Sequence, residues 1–113
     1  MPVNRPRSLN PLAKDAAKRL GLLVAIGRRE RRWSQDELAE RVGTTAKTIR
    51  QIEHGDPTVG IGLYFQAAVL TGVALFNVEP GSRPRVSMDM DAESTQLALL
   101  PQRVRRRKVD NDF

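Results

Sequence analysis

The chain has 113 residues, which matches one compact domain of the usual ~100–150 residues with short extensions. It has no cysteine and a single histidine, His54, which excludes disulfides, cysteine-ligated zinc and any multi-histidine metal site. Lysine and arginine total 19 against 13 aspartate and glutamate residues, and the resulting net charge of +6 favours a polyanionic partner.

The first predicted elements are a flexible arm over residues 1–12 and a helix from residue 13 to about residue 31. Three prolines make the arm a poor helix former. Leu22 and Ile26 lie off the main apolar stripe of the helix, and we expect them to face a second protein chain. The stripe itself has the three- and four-residue steps of a buried helix face, and it consists of Ala16, Leu20, Leu23, Val24 and Gly27.

Residues 34–43 carry the start and stop signals of a second helix. Ser34 and Glu37 have the spacing of a capping box, in which each side chain accepts a hydrogen bond from the other residue's backbone amide. Gly43 suits the left-handed position just past the helix end. The predicted inner face consists of Leu38, Ala39 and Val42.

A third helix is predicted over residues 46–54, where Thr45 is a suitable N-cap and Gly55 follows the last turn. Ile49 and Ile52 are three residues apart and should therefore face the core.

The Asp-Pro pair at residues 56–57 predicts a turn before a fourth helix, which should run from residue 60 or 61 to residue 71. Residues 73–78 suggest a short fifth helix or a turn that ends by Pro80. The residues expected on the inner face of the fourth helix are Ile61, Tyr64, Phe65 and Ala68.

The C-terminal third is predicted to be an extension of the domain. We expect a domain over residues 13–79, followed by a linker and tail over residues 80–113 with a short helix at residues 91–100. Five of the six residues from 103 to 108 are basic, and no apolar periodicity accompanies them. This composition predicts a tail that is disordered in isolation.

Two short helices joined by a glycine turn, with a threonine cap on the second, are typical of a helix-turn-helix. Over about residues 18–76 the chain closely resembles the Xre and lambdoid phage repressor/Cro type of helix-turn-helix regulator. The resemblance implies an all-α, compact, lambda-repressor-like DNA-binding domain of four to five helices. The segments that carry it are Arg28, Ser34-Gln35-Asp36-Glu37-Leu38-Ala39, Val42-Gly43-Thr44-Thr45 and Thr48-Ile49-Arg50-Gln51-Ile52-Glu53-His54-Gly55.

Candidate DNA contacts lie at the start of the second helix and on the outward positions of the third, and the resemblance implies that Ala46, Lys47 and Gln51 touch base edges. Gln35 opens the second helix, where its amide and the free helix-end N–H groups can bond a phosphate oxygen. Gln51 can pair with adenine through two hydrogen bonds, and Lys47 can donate to guanine. The resemblance also implies an ion pair between Arg28 and Glu53. The whole predicted DNA-binding set is Gln35, Thr44, Thr45, Ala46, Lys47, Thr48, Arg50 and Gln51.

The charge is divided unevenly along the chain. Residues 1–33 carry a net +7, residues 34–79 carry −3 and residues 80–113 carry +2. Specific recognition should therefore depend on a few side chains of the third helix. Because one small domain buries little DNA surface, we expect a homodimer on a palindromic operator in double-stranded DNA. Leu97, Leu99 and Leu100 are further candidates for the dimer or partner surface.

The tail suggests a second partner. A single Xre-type domain followed by such an extension resembles the HipB-like antitoxins, which pair with HipA-like kinase toxins and repress their own operon. A stand-alone regulator with a disordered basic tail that attracts phosphates is the alternative. The candidate partner-binding residues of the tail are Arg103, Arg105, Arg106, Arg107, Lys108 and Phe113.

No enzymatic function is expected, because the sequence lacks a phosphate-binding glycine loop, a metal-ligand cluster and a nucleophile with a histidine base. No cofactor, metal or catalytic residue is predicted. No apolar run approaches the ~20 residues of a membrane span, and the N-terminus lacks the apolar region of a signal peptide. We therefore expect a cytoplasmic, nucleoid-associated protein with no membrane partner.

Overall fold

The computed structural model describes residues 8–76 and 83–102. In these ranges the chain contains five helices and no strand, which confirms the predicted all-α fold. The first four helices belong to one compact unit and the fifth to a second. None of the described helices combines the length and apolar character needed to cross a membrane. The helices are α1 (Pro11–Glu30), α2 (Gln35–Val42), α3 (Ala46–Glu53), α4 (Ile61–Leu70) and α5 (Arg83–Leu99).

Helix α1 begins earlier than the sequence predicted, so residues 11 and 12 of the expected arm are helical. The Asn10 side chain caps the helix, with its Oδ1 accepting a hydrogen bond from the Leu12 amide at 2.8 Å. Pro11 occupies the first helical position, where its missing N–H has no intrahelical partner to lose. The residue taken as a helix breaker therefore starts the helix. Residues 1–7 of the arm lie outside the described residues.

The predicted ends of α2 and α3 are confirmed. The Ser34 hydroxyl accepts from the Glu37 amide at 3.0 Å, and the Glu37 carboxylate accepts from the Ser34 amide at 2.9 Å. The hydrogen bond that the Glu37 carboxylate accepts from the Ser34 amide is the largest of the causes that lower the pKa of Glu37. Gly43 ends α2 with a φ of 87°, and the Thr45 hydroxyl caps α3 by accepting from the Thr48 amide at 3.2 Å.

The core lies where α1, α2, α3 and α4 meet. Tyr64 is buried as predicted, and Phe65 is half-buried with its ring edge-to-face on Phe76, 6.4 Å between centroids. The prediction that Ile61 is buried is wrong: as the first residue of α4 it is 69% exposed, because α4 turns a face beginning at Tyr64 inward. The buried apolar residues are Val24, Leu38, Ala39, Ile49, Ile52, Tyr64, Ala67 and Ala68.

The chain after α4 differs from the sequence prediction. Residues 73–76 are not helical, and Phe76 has a φ of 55°, which no helical residue adopts. Residues 77–80 of the suggested fifth helix or turn lie outside the described residues. From residue 83 the predicted linker is replaced by α5, and the expected helix at residues 91–100 is the second half of it. Pro84 lies in the first turn of α5, where proline is tolerated.

The packing of α1 on α3 requires a glycine at position 21. Gly21 is buried, and a Cβ placed on it would overlap the carbonyl oxygen of Ile52 and lie 2.8 Å from that of Glu53. Both neighbours are backbone atoms of α3, so they cannot move without displacing that helix. Close approach at this point therefore fixes the distance between α1 and the end of α3.

Replacing this glycine should destabilise the domain. We expect Gly21→Ala to lower the free energy of unfolding by about 1–3 kcal/mol, the usual cost of overpacking. Gly62→Ala is the matched control, because Gly62 also lies in a helix but a Cβ there meets nothing within 4 Å. That substitution should leave stability unchanged or raise it slightly. Urea denaturation followed by circular dichroism measures both, and equal effects would contradict the proposed close approach.

Candidate nucleic-acid interface

The orientation of α3 is fixed by an ion pair on its last residue. The Arg28 guanidinium on α1 donates to both Glu53 carboxylate oxygens, with Nε–Oε2 at 2.6 Å and Nη2–Oε1 at 3.0 Å. Only 8% and 7% of the two side chains are exposed. Nη1 of Arg28 also donates to the Trp33 carbonyl at 2.9 Å. One arginine thus joins α1, the α1–α2 loop and the end of α3.

Gln35 belongs to the same network. Its Nε2 donates to Oε1 of Glu53 at 3.1 Å, so the first residue of α2 is tied to the last residue of α3. The sequence predicts a phosphate contact for this amide and gives no sign of the bond to Glu53, which spans 18 residues. The phosphate contact stays a prediction. The structure adds that the two helices are held together by the residue expected to set the register on DNA.

The side of α3 away from the core exposes two cations. Lys47 and Arg50 are both exposed, whereas Ile49 and Ile52 are completely buried. In the part of the chain that the structure describes, the only ion pair closer than 4 Å is that of Arg28 with Glu53. Lys47 and Arg50 therefore keep their charges available to an external anion.

The remaining predicted contact residues surround the start of α3. Thr45 is exposed but its hydroxyl is engaged in capping, and it lies 3.1 Å from the Thr48 hydroxyl. Thr44, Ala46 and Thr48 are half-buried. The amide of Thr44 donates to the Ala39 carbonyl at 2.9 Å, which closes the turn between α2 and α3.

Gln51 has a side-chain partner that was not predicted from the sequence. Its Nε2 donates to Oδ2 of Asp56 at 3.1 Å, while Oδ1 of Asp56 accepts from the amide and hydroxyl of Thr58 at 2.8 and 2.6 Å. The hydrogen bonds from Thr58, followed by the one from Gln51, lower the pKa of Asp56. The sequence assigned Asp56 only to a turn. The spacing of Gln51 and Asp56, two polar residues five positions apart across the end of α3, could have indicated this hydrogen bond.

Part of the positive charge of the chain has a structural use. Arg31 donates to the Thr71 carbonyl at 2.7 Å and so joins α1 to the end of α4. The Arg41 guanidinium lies 4.2 Å from the centre of the half-buried Trp33 ring, and that of Arg31 lies 5.8 Å from it. Together with Arg28, which is paired to Glu53, these cations stabilise the junctions between helices. Fewer positive side chains are therefore available to a polyanion than the net charge of the sequence suggests.

Comparison with known proteins supports the same region as the functional unit. The family model described as Helix-turn-helix matches residues 24–75. The chain is also 38% identical over 64 residues to a protein of Sinorhizobium fredii named "Uncharacterized HTH-type transcriptional regulator y4mF", and this alignment covers 57% of the chain and 84% of the relative.

The chain belongs to the helix-turn-helix family. The family match includes α2, α3, α4 and the last seven residues of α1, and therefore every predicted DNA-contact residue. The helix-turn-helix unit does not include residues 11–23 of α1 or any of α5. The predicted partner-binding residues of the tail, from Arg103 to Phe113, lie outside the described residues.

Proposed function

We propose that this helix-turn-helix protein is a sequence-specific DNA-binding transcriptional repressor that acts on nucleoid DNA. The observation that supports the proposal most is that the two sides of α3 differ: one is buried in the core and the other is exposed and basic. One side is held by Ile49, Ile52 and the buried pair of Glu53 with Arg28, while the opposite side exposes Lys47 and Arg50. A rigidly held helix with exposed cations is what insertion into a major groove requires.

The charge distribution favours specific over general attraction. Residues 34–79 carry a net −3, so α2 and α3 do not provide a broad basic surface. A major groove about 12 Å wide admits one α-helix, which places Lys47 and Arg50 within reach of guanine acceptors or phosphates. Gln35 and the first amides of α2 would fix the register through phosphate oxygens.

A homodimer on a palindromic operator is part of the proposal. On α1, Leu22 and Ile26 are 59% and 52% exposed, as the sequence pattern predicted. Two copies would double the DNA contact by occupying half-sites about one helical turn apart. Sedimentation at micromolar concentration should show a dimer in the presence of operator DNA. A monomer with and without operator would exclude this arrangement.

The DNA-binding proposal is tested with the promoter region of the protein's own gene. Footprinting should reveal a protected, palindromic segment, and fluorescence anisotropy should measure its affinity. We expect Lys47→Ala and Arg50→Ala each to weaken operator binding by about 1–3 kcal/mol. Arg29→Ala is the charge-matched control: it removes one exposed cation from α1, outside α2 and α3. Equal losses in all three variants would indicate general attraction and contradict base recognition.

The finer proposal is that the repressor is the antitoxin of a HipA-like kinase toxin and regulates its own operon. It is supported by the resemblance of the C-terminal extension to that of HipB-like antitoxins. A second support is α5, which lies beyond the family match and in which Leu97 and Leu99 are 70% and 81% exposed. Co-purification with the product of an adjacent gene, lost when residues 101–113 are deleted, is the expected result. Absence of any toxin-like neighbour would favour a stand-alone regulator instead.

A further inference from the structure

The hydrogen bond between Gln51 and Asp56 determines which atoms Gln51 can offer to a ligand. Asp56 is an ionised carboxylate and accepts hydrogen bonds without donating any, so the Gln51 atom that faces it at 3.1 Å is the amide nitrogen. The amide oxygen consequently points elsewhere. Among the described residues, every buried side-chain nitrogen or oxygen has a hydrogen-bond partner. The Gln51 oxygen has no such partner there, so it is not buried and reaches solvent.

Asp56 is itself held in place by further hydrogen bonds. Its amide donates to the Gln51 carbonyl at 2.9 Å, and its carbonyl accepts from the buried Tyr64 hydroxyl at 2.5 Å. Thr58 donates to Oδ1 through both its amide and its hydroxyl, which leaves Oδ2 for Gln51. The two carboxylate oxygens therefore bind different partners, and Oδ2, which accepts from Gln51, is fixed relative to α3.

We propose that Asp56 is a positioning residue for base recognition, which orients the Gln51 carboxamide so that its oxygen is presented to the major groove as a hydrogen-bond acceptor. This inference rests on the proposed DNA-binding function. It predicts that Gln51 prefers a base with an exposed amino group, and in the major groove these bases are adenine and cytosine. The second Nε2 hydrogen stays available to N7 of adenine.

The exchange Asp56→Asn gives the sharpest test, because it changes one atom and keeps the shape. The side-chain oxygen should remain with Thr58, whose amide and hydroxyl both donate to it. The new amide nitrogen would then face Gln51, and a donor cannot pair with a donor. Gln51 must turn its oxygen towards position 56 and present its NH₂ group outward. The preferred base should change to one with major-groove acceptors, guanine or thymine.

The experiment is selection of binding sites from a randomised double-stranded DNA library by the full chain, compared among four proteins. Gln51→Ala should remove the preference at one position of each half-site, and this identifies the position that Gln51 reads. At that position Asp56→Asn should reverse the preference or reduce it about tenfold. Glu40→Gln removes an exposed carboxylate from the last turns of α2, away from its first amides, and should leave the wild-type motif unchanged.

The outcomes separate the two proposals. If the wild-type chain selects no motif, the proposed DNA-binding function is wrong. If it selects a motif that Asp56→Asn leaves unchanged at the position altered by Gln51→Ala, only the positioning role is wrong. Loss of a negative charge by itself would strengthen binding to all sequences equally, so a change confined to one position supports orientation by Asp56.

A measurement on the wild-type chain keeps the inference testable even where a variant fails to fold. In the absence of DNA, the Gln51 side-chain amide resonances should titrate together with Asp56 in nuclear magnetic resonance spectra. Because hydrogen bonds lower the pKa of Asp56, the common midpoint should lie below that of an ordinary aspartate. Gln51 resonances that do not change when Asp56 is protonated would contradict the orientation.

Discussion

Replacing Arg28 with methionine is expected to lower the free energy of unfolding by about 3–5 kcal/mol, one of the largest effects of any single substitution in this chain. The arginine makes two hydrogen bonds to Glu53 and one to the Trp33 carbonyl. With Arg28→Met, the Glu53 carboxylate stays buried at 7% exposure with only the Gln35 amide as partner. A buried charge without its counter-ion costs more than the pair itself contributes.

Arg29→Met is the matched control for this prediction. Arg29 is the next residue on α1 but is exposed, so its replacement should change stability by no more than about 0.5 kcal/mol. Trp33, the single tryptophan, is half-buried beside the ion pair and provides a fluorescence signal for denaturation in urea. Similar midpoints for the two variants would mean that the buried ion pair does not stabilise the fold.

A double variant distinguishes loss of the pair from loss of packing. Arg28→Met combined with Glu53→Leu removes both charges and fills the space with apolar groups. Because this eliminates the unpaired carboxylate, the double variant should be more stable than Arg28→Met alone. It should nevertheless bind operator DNA less well, since the bond from Gln35 to Glu53 that ties α2 to α3 is lost.

The α2–turn–α3 unit was predictable because its signals are local. The capping box of Ser34 and Glu37, the left-handed Gly43 and the Thr45 cap each involve residues within four positions of one another. Such interactions depend on backbone geometry that a short segment determines by itself. The burial of Ile49 and Ile52 followed from their spacing once α3 was placed.

Side-chain bonds between distant elements were not predictable in the same way. Gln35 and Glu53 are 18 residues apart, and their contact depends on the angle between α2 and α3. The bond from Gln51 to Asp56 depends on how the chain leaves α3. Composition shows that these groups are polar but not which of them are already paired. The residues expected to contact DNA were identified from their positions on the helices and from the resemblance, while their internal partners required the structure.

Two helices begin earlier than predicted, and each has a proline in its first turn. The prolines of the arm were interpreted as poor helix formers, but Pro11 lies in the first turn of α1, and the predicted linker contains Pro84, which lies in the first turn of α5. In that position proline is tolerated, because the first N–H groups have no intrahelical acceptor. A proline marks the start of a helix as readily as its end, and only the residues after it decide between the two.

Ile52→Ala is the second substitution expected to have a large effect, with a loss of about 2–5 kcal/mol in the free energy of unfolding. Its side chain is completely buried in the core, and its carbonyl lies against Gly21 of α1. Because this backbone contact holds α3 at a fixed distance from α1, the helices cannot move together to fill the cavity. The cost should therefore lie in the upper half of the range.

Ile61→Ala provides the comparison, because it deletes the same atoms from a side chain that is 69% exposed. Alanine also has the higher helix propensity, so this variant should retain wild-type stability within about 0.5 kcal/mol. Thermal denaturation by circular dichroism would separate the two variants by roughly 10 °C or more. Equal destabilisation would mean that α4 packs through Ile61 after all. If the two differ as expected, the buried isoleucines of α3 hold the helix whose outer side carries Lys47 and Arg50.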